Sequence, residues 1–174
     1  MKHTLNHRIP ISRPGPRLLV LATALLARAL TPAVAQVPPD NVHWNASVAP
    51  GNTVKAGGNV TLQLEGAIDD GWHVYGLKQL PDGPTALRVR LDTNDTAAAA
   101  GDATETKPTV IHDARFGVDT QFHTHTVTLS LPARVQPGVT GQRQIPVSVR
   151  FQLCSDHECQ PPRTVHLSVP VEVQ

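Results

Sequence analysis

The sequence reads as an all-β protein. Three observations predict this. Apolar and polar residues alternate with a period of two in segment after segment, helical periodicity is nearly missing, and Gly-, Pro- and Asp-rich turn signals separate the alternating runs. In chain order, a first strand is expected over residues 42–48. Val60, Leu62 and Leu64 then alternate with Thr61 and Gln63, a short strand covers Trp72–Tyr75, and Leu87, Val89 and Leu91 alternate with Arg88 and Arg90. Val127, Leu129 and Leu131 alternate with Thr128 and Ser130. Ile145, Val147, Val149, Phe151 and Leu153 form the longest run, and Val165, Leu167, Val169 and Val171 form the last. Each pattern turns one apolar face inward and one polar face outward, as antiparallel sheets do. Pro146 and Pro170 have no N–H to donate, which places them on edge strands or bulges. Turns are expected at Asp69-Asp70-Gly71, Pro81-Asp82-Gly83-Pro84 and Pro137-Gly138, and the polar, Ala-rich stretch 93–106 is expected to be a mobile loop. About seven short strands in a domain of this size predict an immunoglobulin-like antiparallel β-sandwich.

A chain of 174 residues is long enough for one domain. Only 3% of it is aromatic, so the core must be built mainly from Val and Leu. The formal net charge of +1 conceals an asymmetry. Lys2, Arg8, Arg13, Arg17 and Arg28 precede Ala35 with no acidic residue among them, so the remainder carries an excess of acidic residues. A folded domain of that sign lacks the basic face that nucleic acids require. Residues 1–35 have the form of a secretory signal: a basic start, an apolar run over residues 18–27, and the small-x-small site Ala33-Val34-Ala35 before Gln36. The apolar run is too short to span a bilayer. The expected organisation is a signal peptide at 1–35 and an exported domain at 36–174. After signal removal the domain is not membrane-spanning, and it works in an oxidising compartment.

The segment richest in chemistry is Phe151-Gln152-Leu153-Cys154-Ser155-Asp156-His157-Glu158-Cys159-Gln160-Pro161-Pro162, which holds both cysteines of the chain. In an exported protein the default is a disulfide between them. The loop so closed is short, and the chain-entropy model gives it only about 2 kcal/mol, so it is a weak global staple. Three readings of the pair stand open: a local structural clip, a redox-active bridge, and a metal site. In the metal reading His157 joins the two thiolates, zinc would take His123 and His125 as a second ligand pair on one strand face, and soft thiolates could instead take copper. Under the redox reading His157, when charged, favours a neighbouring thiolate, whereas Asp156 and Glu158 oppose it. The remaining histidines, His43, His73, His112 and His166, read as scattered residues without a role.

Cys154-x4-Cys159 followed by Pro161-Pro162 resembles the cysteine loop of the amino-terminal periplasmic domain of the DsbD thiol:disulfide interchange family. The elements Gly71-Trp72-His73-Val74-Tyr75-Gly76, Gly83-Pro84 and Phe116-Gly117 are similar to that family as well. The likeness extends over most of residues 40–173. It implies an immunoglobulin-like fold and a periplasmic cysteine pair that passes electrons to oxidised partner proteins. It also implies Cys159 as the attacking cysteine, and a cap loop whose aromatic residue maps onto Phe116 and covers the cysteines. The expected partners are thioredoxin-like or other periplasmic thiol proteins, met transiently by a monomer. The family protein continues into a membrane electron conduit and a thioredoxin-like domain. This sequence has neither, so a separate membrane conduit is expected to supply its electrons. No organic cofactor is required, since sulfur carries the electrons. Two rivals remain: a non-catalytic interaction domain with a structural disulfide, and a periplasmic copper-binding protein.

Overall fold

The structure, a computed structural model, describes residues 40–174. The signal expected at 1–35 lies outside the described residues. Thirteen strands account for the fold: β1 (Val42–Ala49), β2 (Thr53–Val54), β3 (Asn59–Ile68), β4 (Trp72–Tyr75), β5 (Arg88–Leu91), β6 (Ala97–Ala99), β7 (Thr104–Glu105), β8 (Thr109–Asp113), β9 (Val118–His123), β10 (Thr126–Val135), β11 (Gly141–Phe151), β12 (Leu153–Ser155) and β13 (Arg163–Val173). Among the described residues no helix is long and apolar enough to cross a membrane.

The strands form three sheets. The first runs β1-β3-β10-β6, with β7 also paired to β10, and the second runs β2-β13-β11-β5. All their pairings are antiparallel except β2 with β13. The alternation in the sequence decides which side chains meet between these two sheets. Leu62 and Leu64 from β3, Val127, Leu129 and Leu131 from β10, Ile145, Val147, Val149 and Phe151 from β11, and Val169, Val171 and Val173 from β13 are all buried in one apolar cluster. Trp44 and Trp72 pack against that cluster while staying partly exposed. The Trp44 ring stands 5.6 Å from that of Phe151, bridging the two sheets. It lies against Gly66, where an added Cβ would come within 3.0 Å of the indole. The result is an immunoglobulin-like sandwich of two packed sheets.

Two expectations need correction. Residues 93–106 are not one open loop. Ala97–Ala99 and Thr104–Glu105 are strands against β10, and Ala97 is buried. The small alanine side chains fit a half-buried pleat that propensity alone does not favour. Pro146 lies in β11, an interior strand rather than an edge. Its carbonyl accepts from the Asp92 N–H, and the β5 ladder stops at the neighbouring pair Val147–Leu91. A strand residue's nitrogen and carbonyl point to the same side, so the missing N–H faces Asp92, only one of the two bonds of that pair forms, and the β5 ladder ends there. Pro170 is opposite Gln144 of β11, and on its other side β2 covers β13 only at Glu172 and Val173.

The third sheet, β12-β4-β9-β8, is hydrogen-bonded separately, sends Val74 and Leu153 into the same apolar cluster, and carries both cysteines at one edge.

Candidate functional site

Directly after β11 the chain enters β12, which turns back on itself as a tight hairpin. Ser155 N–H donates to the Glu158 carbonyl and Gln160 N–H to the Leu153 carbonyl, at 2.7 and 2.9 Å. These two bonds flank Cys154 and Cys159, which therefore occupy a non-hydrogen-bonded antiparallel pair, the kind whose Cα atoms approach most closely. Their Cα atoms are 4.1 Å apart and their sulfurs are joined in a disulfide. The Ser155 hydroxyl shapes the turn by accepting from the N–H groups of His157 and Glu158. Cys154 is fully buried, whereas Cys159 is partly exposed. Hairpin geometry thus makes the two sulfurs unequal: an incoming group meets Cys159 first. Asp156, His157 and Glu158 all lie at the exposed tip.

The neighbouring strand β4 is the Trp72-His73-Val74-Tyr75 element. It pairs with β12 so that His73 lies opposite Cys154, and with β9 so that Tyr75 lies opposite Phe122. Residues two apart on a strand share a face. His73 and Tyr75 accordingly meet edge to face at 5.1 Å, and the Phe122 ring is 5.2 Å from His73. Burial pushes His73 below the usual histidine value of 6.5, against the opposing pull of the Asp113 and Asp156 charges. Tyr75 is pushed up to about 12, first by burial, then by the Asp113 charge and its hydrogen bond with that carboxylate. His73, to which the sequence assigned no role, is therefore part of the platform under the cysteine hairpin. Gly76 closes the element. A Cβ there would sit 3.0 Å from a Glu105 carboxylate oxygen, so only glycine leaves room for that carboxylate.

Strands β8 and β9 form a hairpin whose turn overhangs the cysteines. Asp113 organises it. Its backbone carbonyl accepts from Phe116 and Gly117, its carboxylate accepts from the Arg115 N–H, and the Tyr75 hydroxyl donates to the same carboxylate at 3.3 Å. Gly117 takes φ +70°, a conformation that suits glycine and allows the turn to close. Phe116, expected to cover the cysteines, packs its ring edge-on against Tyr75 with centroids 6.0 Å apart. The side chain that touches the bridge belongs to its neighbour. Arg115 Nη1 donates to Cys159 Sγ at 2.9 Å, and Nη2 donates to the Asp156 carbonyl at 3.2 Å. Nothing local to Arg115 points to this role, because the contact joins residues 44 positions apart. A cleft of about 460 Å³ opens beside this contact, bordered by Trp72, His73, Tyr75, Asp113, Arg115 and Asp156.

The histidines of the metal reading do not converge. β9 ends at His123, which is buried and bonded through Nε2 to Glu105 at 2.9 Å. His125 lies in the following turn with φ +63°, exposed and 3.7 Å from Asp70. The two imidazoles therefore do not share one strand face, as expected of a ligand pair. His157 is at the hairpin tip, and among the described residues no three His, Cys, Asp or Glu side chains group as a metal set. Glu105 instead serves as a joint. Both its oxygens accept from the Leu77 N–H at 3.0 Å while it holds His123, tying β7 of the first sheet to β4 and β9 of the third.

Comparison with known proteins bears on this site. Residues 39–170 match the family model described as thiol:disulfide interchange protein DsbD, N-terminal. No individually curated protein matches the sequence. Among solved structures, the reduced DsbD N-terminal domain of Neisseria meningitidis is similar at 18% identity, over 67% of this chain and 80% of that one, with a TM-score of 0.44. The complex of the DsbD N-terminal and PilB N-terminal domains from the same organism gives 15% identity, 72% and 80% coverage, and a TM-score of 0.47. The N-terminal periplasmic domain of ScsB from Proteus mirabilis gives 15% identity, 79% and 49% coverage, and a TM-score of 0.44.

Proposed function

The chain belongs to the family of the amino-terminal domain of the thiol:disulfide interchange protein DsbD, and from that membership we propose that it is a periplasmic thiol–disulfide exchange module working through Cys154 and Cys159. The observation that carries the reading is the inequality of the two sulfurs: Cys159 is partly exposed at a hairpin edge, and Cys154 is buried behind it. In the reduced domain the Cys159 thiolate attacks a disulfide of a partner protein. A mixed disulfide forms, and the first partner sulfur leaves as a thiolate that takes up a proton. Deprotonated Cys154 then attacks Cys159 Sγ, closes the Cys154–Cys159 bond and releases the second partner thiol. Two electrons and two protons pass to the partner, and a separate dithiol protein, supplied through a membrane conduit, returns them. Residues 1–35 are the export signal, residues 36–174 the working domain, and the domain is a monomer that meets thioredoxin-like thiol proteins transiently.

Trapping tests this directly. With Cys154→Ser, the free Cys159 should hold a thioredoxin-like partner as a stable mixed disulfide visible on a non-reducing gel. With Cys159→Ser, the buried Cys154 should trap little or none. Equal trapping by both variants, or by neither, contradicts the proposal.

A further inference from the structure

We infer that Arg115 is a catalytic residue of the exchange reaction: its guanidinium holds the Cys159 thiolate of the reduced domain and latches the overhanging turn to the cysteine hairpin. The inference rests on the exchange reading and extends it to a residue outside the cysteine motif. The geometry is specific. One guanidinium nitrogen reaches Cys159 Sγ at 2.9 Å, and the other reaches the Asp156 carbonyl at 3.2 Å, so a single planar fork spans the reactive sulfur and the loop beside it. Arg115 does not reach there by chance of a loose side chain alone. Its own N–H is bound to the Asp113 carboxylate, which Tyr75 also holds, and Gly117 lets the turn close.

The charges around the pair explain what this contact does. The groups facing it are His73 and Tyr75 from β4, Asp113 and Arg115 from the overhanging turn, and Asp156, His157 and Glu158 from the cysteine loop itself. Burial keeps His73 largely neutral near pH 7, and Tyr75 is neutral there. Asp113, Asp156 and Glu158 disfavour a thiolate. Arg115 is the permanent cation placed on the sulfur, and it offsets them. When the partner disulfide is attacked, the thiolate charge moves from Cys159 to the leaving sulfur. Arg115 reaches the same sulfur in the disulfide of the present structure, so the turn is held over the hairpin in the oxidised domain as well. The same side chain therefore activates the nucleophile of the reduced domain and holds the turn over the hairpin.

The test uses the protein reduced with dithiothreitol and freed of reductant, with iodoacetamide as the probe. Alkylation of the accessible thiol is followed against pH in the wild type, Arg115→Gln and Arg115→Lys. Arg115 is exposed, so water screens its charge. Arg115→Gln should move the midpoint of the rate–pH curve upward by about half to one unit, a roughly three- to tenfold loss of rate below the midpoint. Arg115→Lys, which keeps the charge, should stay nearer the wild type and guards against a mere folding effect. An unmoved midpoint in Arg115→Gln, or equal shifts in both variants, overturns the inference. The exchange reading has its own readout, reduction of the bridge by thiol buffers. A bridge that exchanges with an unmoved midpoint sinks the role of Arg115 alone. A shifted midpoint with a bridge that resists exchange sinks the exchange reading, and with it the catalytic role.

Discussion

Between the first two sheets the buried side chains are mainly Val, Leu and Ile with Phe151, and most come from strands of ten or eleven residues. In the third sheet the strands are six residues or shorter, and beside Val74 and Leu153 the buried groups include Tyr75, Thr120, His123 and Cys154. The first region is an apolar contact surface that any Val- and Leu-rich pair of sheets can make. The second joins that surface only through Val74 and Leu153 and is otherwise held by directed bonds: Asp113 to Tyr75, Glu105 to His123 and Leu77, Arg115 to Cys159. The lesson is a division of labour. Stability resides in the sandwich, and the third sheet displays a polar, titratable surface whose chemistry can change without unfolding the domain.

That division predicts a ranked series of effects. Leu64→Ala, deep in the sandwich, should lose the most stability, about 3 kcal/mol in urea unfolding, while leaving the potential of the cysteine pair unchanged. A changed potential would break the separation between the two regions. Glu105→Ala strips the joint between first and third sheets and leaves His123 and the Leu77 N–H without their acceptor. A loss of about 2–3 kcal/mol is expected, with faster amide exchange confined to β4 and β9. Replacing both cysteines by alanine, which buries no unpaired hydroxyl at position 154, should cost only about 2 kcal/mol, less than the single leucine, because the bridge closes so short a loop. A larger loss would make the bridge a structural staple.

The smallest effect concerns Tyr75. Its folded value of about 12 lies above the unfolded value near 10, so the unfolded chain gives up its phenolic proton first. Its contribution is fully present below pH 10 and is lost as the pH rises from about 10 to 12. Tyr75→Phe should cost about 1 kcal/mol at neutral pH through the bond to Asp113, and should flatten the alkaline limb of a stability–pH curve. An alkaline limb identical to the wild type would contradict the assignment.

The two regions also differ in how far the sequence reveals them. Strands β3, β10, β11 and β13 announce themselves because burying one face imposes alternation on the residues. The cysteine hairpin is equally legible, since everything that defines it is local. Strands β8 and β9 are not. Thr109 to His112 are exposed, so no burial constraint writes a pattern into them, and β9 buries Thr120 and His123 rather than an apolar row. Without that hairpin the position of its turn over Cys159 cannot be inferred. The aromatic Phe116 then looks like the natural cover for the sulfurs, while the contact is made by Arg115. His123 likewise reads as a candidate ligand until Glu105, brought in by β7, is seen beside it.

The most direct measurement is the redox potential of the Cys154–Cys159 pair, obtained by equilibrating the protein against defined thiol buffers and counting alkylated thiols by mass. For an exchange module a value in the range of exchange proteins is expected, roughly −180 to −270 mV. A pair that stays oxidised below about −300 mV would contradict it and make the bridge structural.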